Sequence, residues 1–189
     1  MAIERELKFK VAGFDEVRSA LDGARAVLDN AGELQTDVYY DTADSRLLMA
    51  GAGLRLRMIE PLTGELPARW LLTYKDKAMD EALKARREIQ SSVGDGPAVG
   101  QIIEMLGFRR CFEVQKRRWS YVLGRCRVEL DELPVIGHFV EIEGPDGQTI
   151  TNVRDILHLT SEPISDHYLA LIQNCLGSDC HQALFDNSR

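Results

Sequence analysis

Seven separate stretches of this 189-residue chain place charged residues at every second position, so that each, extended as a strand, would carry its charges on one face. They are Glu4/Glu6/Lys8, Arg55/Arg57, Lys75/Lys77, Lys84/Arg86/Glu88, Lys116/Arg118, Arg127/Glu129/Asp131 and Glu141/Glu143, with the opposite face mostly apolar, as at Ile3, Leu7 and Phe9 or Leu54, Leu56 and Met58. The wet side of an open antiparallel sheet ordinarily mixes Thr, Ser, Gln and Lys. This one is almost purely ionic. Arg55/Arg57 and Glu141/Glu143 also set like charges two residues apart, where they repel unless an opposite charge lies between them. Closing such a sheet around its polar face gives a barrel with a charged lumen and helices on its apolar exterior. Charges in that lumen are costly without partners or water.

The pattern predicts strands over residues 3–10, 37–42, 54–59, 68–77, 84–92, 109–123, 125–132 and 138–143. Helices are expected over 14–28 (Phe14, Val17, Leu21 and Leu28 at helical spacing), 97–106, 149–159 and 165–176. Pro61 to Pro67 reads as a hairpin loop, 76–82 as a mobile loop, and the last dozen residues as a frayed tail. Short connections make most neighbours antiparallel. The expected class is therefore α+β, an eight-stranded antiparallel tunnel in one domain over 1–176, with a tail over 177–189. No internal repeat, Gly-rich phosphate loop or GxGxxG pattern is present, which argues against a doubly wound nucleotide-binding sheet.

The net charge of −7 argues against a general nucleic-acid binder, but not against a small anionic ligand. No apolar run reaches the ~18 residues of a membrane span, and the start Met-Ala-Ile-Glu-Arg-Glu lacks leader character. The expectation is a cytoplasmic protein, monomeric or homodimeric. Cys111, Cys126, Cys175 and Cys180 show no paired spacing and read as free thiols; Cys175, Cys180 and His181 do not fill a tetrahedral zinc shell. A cluster of Arg and Lys calls for a polyanion, and a cluster of Glu and Asp for a hard cation. A metal-bound polyphosphate satisfies both.

The residues also carry a family resemblance. Glu4-Arg5-Glu6-Leu7-Lys8 resembles the N-terminal ExExK signature of the CYTH superfamily, the triphosphate tunnel metalloenzymes. Tyr39-Tyr40-Asp41-Thr42, Leu54-Arg55-Leu56-Arg57, Thr73-Tyr74-Lys75, Arg86-Arg87-Glu88 and Lys116-Arg117-Arg118 are similar to its later strands, in order. Glu129-Leu130-Asp131 and Glu141-Ile142-Glu143 resemble its two late acidic strands, and the Tyr168 helix its C-terminal cap.

The resemblance implies Mg²⁺ or Mn²⁺, with Glu4, Glu6, Glu129, Asp131, Glu141 and Glu143 dividing between metal ligation and positioning of water. It implies that Lys8, Arg55, Arg57, Lys75, Arg86, Lys116 and Arg118 hold a small-molecule triphosphate. Hydrolytic members use a lysine and tyrosine pair, which makes Lys8, Tyr39 and Arg57 the catalytic candidates. Tyr39 and Tyr40 are also open to a packed position under the adjoining helix. The full set of late acids resembles the hydrolytic members. Gly107-Phe108 and Gly137-His138-Phe139-Val140-Glu141 resemble bacterial members grouped with class IV adenylyl cyclases. The expectation is a triphosphatase acting on inorganic, thiamine or nucleoside triphosphate. The alternatives are a cyclase making cyclic AMP from ATP, and a non-catalytic polyphosphate-binding module.

Overall fold

A computed structural model describes residues 2–64, 66–80, 85–177 and 180–186, with the main chain alone for 2–4 and 78–80. Among the described residues the chain forms one sheet from strands β1 (Ala2–Glu4), β2 (Glu6–Val11), β3 (Val27–Thr42), β4 (Gly53–Pro61), β5 (Arg69–Asp80), β6 (Ala85–Val93), β7 (Phe108–Leu123), β8 (Cys126–Leu133), β9 (Gly137–Glu143) and β10 (Gln182–Ala183). Helices α1 (Asp15–Gly23), α2 (Arg46–Met49), α3 (Gly96–Met105), α4 (Gly147–Ile156) and α5 (Tyr168–Leu176) accompany it. The strand order is β1-β6-β5-β4-β3-β7-β8-β9-β2, antiparallel throughout, with β10 added in parallel on β7. Only Arg5 separates β1 from β2, so one extended N-terminal segment bonds β6 with its first half and β9 with its second. Counting that segment once gives the expected eight curled antiparallel strands. No described helix is long and apolar enough to cross a membrane.

Period-two alternation decides which side chains go where. Phe9, Val128, Leu130, Val140 and Ile142 pack outward under α1 and α4, with Val17, Leu21, Ile150 and Val153 completing that core. Val38, Tyr40 and Leu56 pack under Ile103 of α3. A third core is differently placed. Phe112, Val114, Leu133 and Phe139 share the parity of the charged residues on β7, β8 and β9, yet they pack against Ile172 of α5. The inward face thus turns apolar at one end of the tunnel, and α5 closes on that end rather than on the exterior.

Several boundaries differ from the sequence reading. β3 begins ten residues before the expected Asp37, and the helix expected to reach Leu28 ends at Gly23. Register shifts near Asn30 and a positive φ at Gly32 break the alternation that would have revealed this strand. Residues 76–80, expected as a loop, continue β5, again with register shifts. Lys77 is thereby exposed and does not line the tunnel. Residues 81, 82 and Lys84 lie outside the described residues. The C-terminal segment expected to fray instead returns to β7 and buries Ala183.

α3 depends on a close approach: a Cβ at Gly96 would lie 2.0 Å from the Trp70 indole, whereas one at Gly94 meets nothing within 4 Å. Gly96→Ala is therefore expected to lower stability by about 1–3 kcal/mol, the range for overpacking, with Gly94→Ala nearly neutral in the same urea titration.

Candidate active site

The inward faces of the strands enclose a cavity of about 1500 Å³. All the expected phosphate-binding residues (Lys8, Arg55, Arg57, Lys75, Arg86, Lys116 and Arg118) line it together with Tyr39, and the carboxylates Glu6, Glu129, Glu141 and Glu143 share it. Glu4 pairs its main chain with Arg86, but its side chain lies outside the described residues. Tyr39 takes the inward position, and Tyr40 is buried beneath α3.

Each of these cations faces an acid on another strand. Arg57 is buried and forked onto Asp37, Nε to Oδ1 at 2.5 Å and Nη2 to Oδ2 at 2.7 Å. The Arg55 guanidinium lies 3.4 Å from the same carboxylate. Burial opposes the charge on Asp37, but Arg55, Arg57 and Lys116 outweigh it and hold the carboxyl far below its ordinary 3.8. Lys8 meets Glu141 at 3.3 Å and the Asp166 carbonyl at 3.2 Å. Lys75 pairs with Glu88 at 2.8 Å, and Arg86 with Glu6 at 3.7 Å.

Asp131 is fully buried and does not line the cavity. It accepts from Arg118 Nε at 2.6 Å and Nη2 at 2.5 Å, from Lys116 Nζ at 3.0 Å and from the Tyr168 hydroxyl at 3.0 Å. Burial raises its pKa, yet Arg118 and Lys116 more than compensate and hold it down. Arg118 also reaches Glu129 and, at 2.7 Å, Glu141. Glu129 is pushed up by burial, with Asp131 and Glu141 adding to it against the pull of Arg118 and Lys116.

The acidic side of the cavity fits a hard divalent cation. Glu129 is registered against Glu141 across β8 and β9, and Glu143 against Glu6 across β9 and β2, so four oxygen-donor side chains come from three adjacent strands. Among the described residues no three acidic, His or Cys side chains already surround one point.

Lys116 gives the site a pH dependence. Burial, followed by repulsion from Arg118, lowers its pKa from 10.5 to about 8 despite the attraction of Asp131. The ammonium is thus present below that value and lost above it. Affinity for inorganic tripolyphosphate, followed by calorimetry, is expected to fall as pH rises through about 8. In Lys116→Arg, whose charge does not titrate in this range, that inflection should vanish.

Two residues lining this cavity were given no role in the sequence reading. Asp37 shares the strand face of Tyr39, and inward parity alone would have marked it as the partner of an inward arginine. Tyr168 sits at the start of a helix remote in sequence, and no periodicity shows that its ring enters a barrel.

Comparison with known proteins agrees with this geometry. The family model of the CYTH domain matches residues 2–169. The chain is 25% identical over 139 residues to a protein named adenylate cyclase CyaB from Aeromonas hydrophila, covering 74% of this chain and 67% of that protein. A solved structure from Vibrio parahaemolyticus superposes with a TM-score of 0.79 at 20% identity, covering 90% of this chain and 98% of the other. A Pyrococcus horikoshii structure gives a TM-score of 0.75 at 27% identity over 89% and 98%.

Proposed function

Because the chain belongs to the CYTH domain family, whose proteins are generally enzymes, we propose that it hydrolyses a triphosphate compound in a reaction dependent on Mg²⁺ or Mn²⁺. The observation that carries this reading is one cavity lined by Lys8, Arg55, Arg57, Lys75, Arg86, Lys116 and Arg118 on one hand and Glu6, Glu129, Glu141 and Glu143 on the other. Neither set alone would take a free anion or a free cation as well as both take a metal–polyphosphate complex.

Glu6, Glu141 and Glu143, with Glu4, would hold the cation, which when bound neutralises phosphate charge and orients the terminal phosphate. Glu129, its pKa raised by burial, is the carboxylate suited to accept a proton from the attacking water. Arg55 and Arg57 grip phosphate oxygens with the donors Asp37 leaves them, and Lys8 and Tyr39 serve the attack on the terminal phosphate. Asp131 has the different task of fixing Lys116 and Arg118 from beneath.

The name of the Aeromonas relative favours a second reading, cyclisation of ATP to cyclic AMP and pyrophosphate. One experiment separates these. Inorganic triphosphate, ATP and thiamine triphosphate are incubated with Mg²⁺ or Mn²⁺ and with chelator, and both orthophosphate and cyclic AMP are measured. We expect orthophosphate release that stops in chelator. Cyclic AMP from ATP would replace this reading with the cyclase one. Tight metal-dependent binding without any product would leave a binding module.

A further inference from the structure

The segment that leads into α5 contacts the phosphate-binding side of the cavity at several points. The Ile164 amide donates to the main-chain carbonyl of Lys8 at 2.8 Å, and the Asp166 carbonyl accepts from its ammonium at 3.2 Å. Tyr168, the first residue of α5, then lays its ring beneath two lysines. Lys8 Nζ lies 3.9 Å from the ring centroid, and Lys116 Nζ lies 5.4 Å from it. Both distances fall within the ~6 Å over which an ammonium is attracted to an aromatic face.

The ring is fixed at two places. Its hydroxyl donates to Asp131 at 3.0 Å, and it packs edge-to-face with Phe139 at a centroid separation of 5.1 Å. Burial, with Asp131 and Glu141 alongside, raises the hydroxyl pKa well above its ordinary value, so the group remains a donor at any working pH. Lys8 and Lys116 are themselves buried like charges on separate strands. A ring within cation–π range of both supplies electron density to each without adding a further counter-charge that would compete with a phosphate.

We propose that Tyr168 is a positioning residue for the triphosphate, its ring the shelf on which the ammonium groups of Lys8 and Lys116 are set toward the cavity. The idea rests on the triphosphate reading for its ligand, but its first readout is binding rather than turnover. Full-length Tyr168→Leu and Tyr168→Phe are titrated with inorganic tripolyphosphate by calorimetry without metal, then assayed with Mg²⁺. Tyr168→Leu should weaken binding about tenfold and raise KM similarly, with kcat changed less. Tyr168→Phe keeps the ring and should stay within about threefold of wild type.

Undiminished binding in Tyr168→Leu would overturn the inference, and so would an equal loss in Tyr168→Phe. Ile172→Val loosens the buried contact of α5 and keeps the Tyr168 ring itself. A loss there matching Tyr168→Leu would assign the effect to helix docking and overturn the inference as well. Wild-type protein that binds tripolyphosphate but turns over no triphosphate sinks the enzyme reading alone. Wild-type protein that does not bind it sinks both.

Discussion

Replacing Asp131 by asparagine is expected to cost about 3–5 kcal/mol of folding stability, the range for removing one partner of a buried ion pair. The amide keeps the shape but withdraws the charge from beneath Arg118 and Lys116, which are themselves buried. Glu129 and Glu141 still reach Arg118, so the protein should fold, but Lys116 loses its nearest acid. Glu132 offers the contrast one position along the same strand, where it pairs with a more exposed Arg117 at 3.3 Å. Glu132→Gln should cost less than about 1 kcal/mol. Urea unfolding of the two variants measures the difference, and equal effects would show that the buried acid carries no special burden.

Arg57→Lys is expected to lower kcat about a hundredfold while KM changes far less. The fork onto Asp37 occupies Nε and Nη2 and fixes the direction of the remaining donors. A lysine would give Asp37 its one ammonium and keep nothing aimed at the phosphate. Removing one preoriented donor at a site of developing charge typically costs two to three orders of magnitude. The Asp37–Arg57 pair contributes stability above the ordinary Asp pKa of 3.8 and loses it only as pH falls through the depressed folded value. No acid limb between about pH 5 and 7 is therefore expected from this pair. Wild-type kcat with a raised KM in Arg57→Lys would mean that the guanidinium binds ground and transition states equally.

The charged alternation makes most of the cavity legible in the sequence, because period two is a geometric property of an extended chain and survives whatever the tertiary context. Residue parity alone places Glu6 with Lys8, Lys116 with Arg118 and Glu141 with Glu143 on shared strand faces. What alternation does not encode is pairing across strands. Asp131 has the same parity as Glu129, yet one is sealed beneath Arg118 while the other lines the cavity. The first half of β3 is hidden by its irregularities near Asn30 and Gly32. The inward turn of α5 is hidden for another reason: Ile172 and Leu169 have the same apolar character whichever side of a sheet they cover.

The strand split at Arg5 ties the start of the described chain to strands far along the sequence. Residues 2–4 find their partners on β6, but Glu6 to Val11 must wait for β9, and Lys8 reaches a carbonyl 158 residues further along. The segment over residues 2–11 is thus made before both of the strands it pairs with. Long-range pairings of this kind slow folding, since the entropy of closing the loop is lost before any contact rewards it. A nascent chain released short of β9 would keep unpaired hydrogen-bonding groups on both β2 and β8. Such strands recruit other chains. Completion of the tunnel thus needs β9 in place before Glu6–Val11 can be paired.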